Sequence, residues 1–202
     1  MPSLGDFFRV NAPRSFVEPW DIWMQTGIRE VRRDLGNDWS ACYMSAPIWR
    51  FTLSAGTAGP DAVFGVVMPS VDRVGREFPL TLMAPVPEPA SLLDLHFGAK
   101  STFEVLENLA LDALEDEMTP DWISRLLSQI SIPVVLSATD VPEGAADQFH
   151  SMVQPSIWTA DLAFDPRLMI CEGLPCAVQL RGLMDLNAPV WRATSRTSEP
   201  IV

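Results

Sequence analysis

The chain has 202 residues, 14 Lys and Arg against 26 Asp and Glu, and a formal net charge of −12 at pH 7. A field of that sign repels phosphate backbones and anionic lipid headgroups, so nucleic acid and membrane surfaces are excluded as expected partners and a protein partner is left. With 48% apolar and 20% charged residues, the composition is that of a globular chain long enough to bury a core without disulfides or metal.

Cys42, Cys171 and Cys176 are too few and too unevenly spaced for a disulfide scaffold, and they read as reduced thiols. The first residues, Met1 to Phe16, hold no long apolar run of the signal-peptide kind. The longest apolar stretch, Ile132 to Ala138, is only strand-sized. The expected location is therefore the cytoplasm, with no membrane insertion.

In chain order, Pro13 to Gly36 reads as a helix. Phe16, Trp20, Trp23, Met24, Ile28, Val31 and Leu35 form one apolar stripe, Ser15 and Glu18 suggest a capping box, and Gly36 is the stop. Three strands follow, Ile48 to Leu53, Ala62 to Met68 and Phe78 to Ala84, with turn residues between them that suggest an antiparallel meander. Pro85, Pro87 and Pro89 then make a stiff extended connector.

Ser101 and Glu104 suggest a second capping box, opening a helix with Phe103, Leu106, Leu109, Ala110, Ala113 and Leu114 on its apolar face. Its other face and end carry Glu107, Asp112, Glu115, Asp116 and Glu117, a solvated face or a dock for a basic partner. Thr119 and Pro120 cap another helix through Ile130. Ile132 to Ser137 reads as a strand and Val141 to His150 as a loop. Ile157 to Leu162 and Leu168 to Cys171 read as strands, and Pro175 to Asp185 as a closing helix. The whole suggests a single domain over 1–187 with a mobile tail over 188–202. The expected fold class is an α/β (α+β) sandwich, one mixed, mainly antiparallel sheet flanked by helices.

No nucleotide-binding glycine loop, zinc-ligand spacing or nucleophile elbow occurs, so no cofactor, no metal and no catalytic residue is expected. The segment Met68 to Leu82 stands out. It joins two strands and crowds Asp72, Arg73 and Arg76 into a short connection, where Asp72 can pair with either arginine and Gly75 can supply a positive φ. It reads as a braced hairpin or as a binding surface on a rigid turn. Trp49 and Arg50 are expected beside it, with Arg50 stacked on an aromatic ring or paired with Asp6 or Asp72. Trp20 and Trp23 lie on a helix stripe and read as core, whereas an exposed Trp39 or Trp191 would serve as an interface anchor.

Several of these segments resemble a known family. Gly5-Asp6-Phe7 followed by Trp20-Asp21-Ile22-Trp23-Met24-Gln25-Thr26-Gly27, then Ala46-Pro47-Ile48-Trp49-Arg50-Phe51, the run from Met68 to Leu82, Trp158 and Gly173-Leu174-Pro175 are similar to the signature of the TagF (ImpM) family. The resemblance implies an α/β sandwich and an accessory role in bacterial type VI secretion. It further implies post-translational repression of assembly by protein–protein binding, in concert with a forkhead-associated-domain scaffold. It carries no catalytic residues to transfer. On this reading Asp72, Arg73, Arg76, Trp49 and Arg50 contact the partner, and Asp6, Gly75, Trp20 and Trp23 are structural. The alternatives are a structural subunit of the apparatus, or an enzyme with a carboxylate site on Asp6 and Asp72.

Overall fold

A computed structural model describes residues 9–72, 75–86, 91–115, 119–135, 137–163 and 165–193. Five strands, β1 (Trp49–Leu53), β2 (Ala62–Met68), β3 (Leu80–Val86), β4 (Pro155–Ala160) and β5 (Arg167–Glu172), form one sheet in the order β3-β2-β1-β4-β5. Every pairing is antiparallel. The expected sandwich is present, with a sheet that is antiparallel throughout its described strands.

Alternation along the strands sends side chains to two helical layers. On one face lie α1 (Arg14–Leu35), the short α2 (Trp39–Ser45), α7 (Ala177–Met184) and α8 (Pro189–Ala193), packed on Trp49, Phe51, Leu53, Val63, Val67 and Trp158. The opposite face carries α3 (Leu92–Gly98), α4 (Lys100–Asp112), α5 (Pro120–Leu127) and α6 (Ala145–His150), over Phe64, Val66, Leu82, Ile157 and Ile170. Because β1 and β2 are covered on both sides, their residues are buried without a break. Gly65 is required at the centre of β2, where a Cβ would stand 2.2 Å from the Leu82 carbonyl oxygen and 2.9 Å from the Phe51 ring.

Local expectations fail where tertiary structure supplies what a side chain was expected to. The α1 helix starts behind Pro13 with no side-chain cap, and Glu18 pairs with Arg14 at 2.7 Å rather than closing a box with Ser15. Ser101 lies inside α4, because α3 delivers the chain already helical and the Phe103 N–H bonds the Ala99 carbonyl. The α5 cap is as expected, with the Thr119 hydroxyl accepting from the Trp122 N–H. The described residues of Ile132 to Ser137 form no strand: Ile132 and Val135 pack on the helical layer and Val134 is exposed. Val141 to His150 is not all loop, since Gly144, with φ +76°, opens α6 and Phe149 packs on β4 and β5. Residues 189–193, assigned to the tail, form α8.

Candidate functional site

The connector after β2 continues the β2–β3 ladder past its named strands. The Phe78 N–H bonds the Ser70 carbonyl at 3.0 Å, Val71 bridges Glu77, and the Asp72 N–H bonds the Arg76 carbonyl at 3.1 Å. The tip turns through Gly75, whose N–H bonds the Asp72 carbonyl and whose φ of +82° suits glycine. The Asp72 carboxylate then clasps Arg76 twice, accepting from its backbone N–H at 2.8 Å and from its Nε at 2.6 Å. The expected Asp72–Arg76 pairing and positive φ at Gly75 are both present. Arg73 and Asp6 lie outside the described residues.

The stem is rooted in α2. The Tyr43 hydroxyl donates to the Ser70 carbonyl at 2.9 Å and accepts from the Ser70 N–H at 3.1 Å. Burial pushes that hydroxyl's pKa far up, so it stays protonated and able to donate. Trp39 Nε1 donates to Glu77, and Arg32 reaches the same carboxylate at 3.4 Å while lying over the Trp39 ring. Trp39, considered as an exposed anchor, is therefore only 3% exposed and braces the connector from beneath.

Trp49 and Arg50 do not join the clasp. They are successive residues of β1 and so point to opposite helical layers. Trp49 is 2% exposed; its Nε1 donates to the Leu183 carbonyl at 2.8 Å and its ring stacks on Trp191 at 5.8 Å. Trp191 is buried as well and donates to the Gly182 carbonyl, which removes it as a surface anchor. Arg50, 8% exposed, takes Glu107 as its partner rather than Asp72, at 2.7 Å through both Nε and Nη2. Its guanidinium lies 5.5 Å from the Phe103 ring centre. Glu107 is thus withdrawn from the solvated acidic face on which the sequence placed it.

Beside this pair, His96 is buried between two threonines, with Nδ1 2.8 Å from Thr52 Oγ1 and Nε2 2.9 Å from Thr159 Oγ1. Burial first, and the charge of Arg50 second, lower its pKa to about 3. Trp20 and Trp23 form the expected core cluster, their rings 4.8 Å apart, with Phe16, Phe51 and Trp158 at 5.0 to 6.1 Å from Trp20 or Trp23.

Sequence reasoning missed a cleft of about 380 Å³ next to the clasp. Phe16, Val17 and Trp20 of α1 line one side, Ile123 and Leu127 of α5 the other, and Leu80 to Met83 of β3 lie between them. Asp72 and Arg76 stand at its margin. Residues 9–12 also line it, held by an Arg9–Asp21 ion pair and by Asn11 Nδ2 donating to Ser124 Oγ at 3.0 Å. Among the described residues, no group of three or more His, Cys, Asp or Glu could hold a metal ion, and no helix is long and apolar enough to cross a membrane.

Among curated proteins, none matches the chain. The crystal structure of PA0076 from Pseudomonas aeruginosa PAO1 is similar at 32% identity and a TM-score of 0.77, covering 98% of this chain and 93% of that one. Residues 1–130 match the family described as TagF N-terminal domain, type VI secretion system-associated. The match takes in the whole first helix, the meander and the clasped connector, and the chain belongs to the TagF family associated with type VI secretion.

Proposed function

We propose that this protein is a cytoplasmic, non-enzymatic regulator that represses assembly of the type VI secretion apparatus after translation, by binding a protein partner through the surface at Asp72, Arg73 and Arg76. The observation that supports this reading is the clasp itself. Asp72 fixes the tip from within, and Tyr43, Trp39 and Arg32 fix the stem from below. A polar platform ordered before binding loses little entropy on docking. Its partner, on the family resemblance, is a forkhead-associated-domain scaffold of the secretion system.

The cleft beside Asp72 is the observation that favours the competing enzyme reading. Against it, the two described carboxylates at the cleft are both engaged by arginines, Asp72 by Arg76 and Asp21 by Arg9.

Deletion of the gene in a bacterium with an active apparatus tests the proposal. Excess secretion, restored to normal by the wild-type gene and not by one carrying R73E and R76E, is expected. Unchanged secretion, with the protein co-purifying in the assembled apparatus, would mark a structural subunit and contradict it.

A further inference from the structure

The ion pairs beside the clasp share one orientation. In Asp72–Arg76, Glu77–Arg32 and Asp21–Arg9 the carboxylate is sunk, at 9, 15 and 20% side-chain exposure, and the arginine stands outward, at 47, 63 and 62%. Two of these acids are also held from within the fold. Asp72 accepts from the Arg76 backbone N–H, and Glu77 from Trp39 Nε1. In other surface pairs both charges face water: Glu18, Asp34 and Asp140, the partners of Arg14, Arg33 and Lys100, are 48 to 58% exposed.

The three outward arginines also fall on one line. Asp21, Gln25, Ile28 and Arg32 follow at intervals of four, three and four residues, so they share one edge of α1. Asp21 and Gln25 line the cleft together with Arg9, Asp72 and Arg76, and Arg32 meets the connector at Glu77. From Asp21 to Arg32 the edge measures about 16 Å, which about five extended residues cover. Arg29 is exposed on the same helix, and its neighbours Glu18 and Asp34 are paired with Arg14 and Arg33.

We infer that the line from Arg9 through Arg76 to Arg32 is a docking surface for a short acidic segment of a protein partner, rich in Asp or Glu. The inference rests on the binding-protein reading and names the chemistry of what is bound. A guanidinium carries five N–H donors in one plane, so an arginine that holds a carboxylate of its own chain can meet a second one. Because the acids are sunk and the arginines outward, an approaching carboxylate meets the positive end of each pair first. The rest of the chain, where the excess of acid in the net charge of −12 resides, repels such a segment and so confines it to this line. The contact is made along the rim, so it does not depend on what fills the cleft.

The probe is an octaglutamate peptide, labelled with fluorescein at its amino end and amidated at the other, followed by fluorescence anisotropy against the full chain at low salt. Saturable binding is expected, weakened by added sodium chloride and absent for octaglutamine. Arg9→Gln, Arg32→Gln and Arg76→Gln should each weaken it about threefold, as befits exposed charge pairs, and the triple variant about thirtyfold. If R76Q does not fold, R9Q with R32Q serves in its place, with a loss of about tenfold. Absence of saturable binding, equal binding of octaglutamine, or an equal loss in Arg192→Gln, which makes the same change of charge on α8, would each overturn the inference. So would equal or tighter binding of an oligothymidylate or of phosphatidylglycerol vesicles. Scaffold binding that is lost with R73E and R76E, yet indifferent to R9Q, R32Q and excess octaglutamate, sinks the acidic segment and spares the proposed function. Peptide binding that depends on the three arginines, with no binding of the scaffold, does the reverse.

Discussion

Arg50 and Glu107 meet as a two-point pair across the sheet–helix interface, with Nε to Oε1 and Nη2 to Oε2 both at 2.7 Å. Both side chains are largely buried, at 10% and 19% exposure, and Arg50 has exchanged water for Glu107, the Phe103 ring and a longer contact of 3.8 Å to Asp161. Burial alone would lower the Arg50 pKa, yet the hydrogen bond and charge of Glu107 leave it raised. Removing one member strands the other charge. Glu107→Ala should cost about 3 kcal/mol in urea denaturation, whereas Arg50→Met with Glu107→Leu together should fall within about 1 kcal/mol of wild type. A single-variant loss too small to measure would show that Arg50 is solvated after all.

His96 makes stability depend on pH. Its folded pKa of about 3 lies below its ordinary value of 6.5. Between those values the unfolded chain takes up a proton that the folded chain refuses, so stability falls as pH drops from 6.5 towards 3 and the contribution is complete above 6.5. The slope from this residue is about 1.4 kcal/mol per pH unit. Denaturant titrations of wild type and His96→Gln from pH 7 to pH 4 should diverge by that slope, with the variant the flatter. Parallel curves would place a charged imidazole in the fold.

The Trp191 ring stacks on Trp49, donates to the Gly182 carbonyl and lies under Arg167 at 5.2 Å. The α8 segment is therefore part of the core it covers. Trp191→Ala should lower stability by roughly 3 kcal/mol. A change below about 0.5 kcal/mol, the range of surface substitutions, would return residues 189–193 to the tail.

Tyr43→Phe isolates the bond that roots the connector. It removes one hydroxyl and leaves both the Ser70 N–H and carbonyl without that partner. A cost of about 2 kcal/mol is expected. Amide exchange at Phe78 and Arg76 should speed up relative to β2, since the stem would open without global unfolding. Unchanged exchange there would show that the clasp holds the connector unaided.

What the sequence made legible was local. The run Ala62–Met68 is a strand at those bounds because its flanking turn residues and apolar content define it. Thr119 and Pro120 mark a helix start, and Gly75 a left-handed turn, through chemistry confined to a few residues. Leu92–Gly98 was hidden behind a proline-rich stretch that favours extended chain, and at seven residues it shows too little periodicity. The partner of Arg50 was out of reach for another reason. Glu107 is 57 positions away, and nothing around it separates it from the exposed acids of the same helix. The cleft likewise needs α1, β3 and α5 assembled, so no single segment announces it.

Binding of the clasped connector to its partner is measured most directly by titration calorimetry of the purified forkhead-associated-domain scaffold against wild type and against the R73E, R76E double variant, with circular dichroism confirming that both are folded. The expected result is saturable binding by wild type and its loss, or weakening by at least about a hundredfold, in the variant, as when two charged contacts are reversed. Equal affinities for the two folded proteins would contradict the placing of the binding surface at this connector.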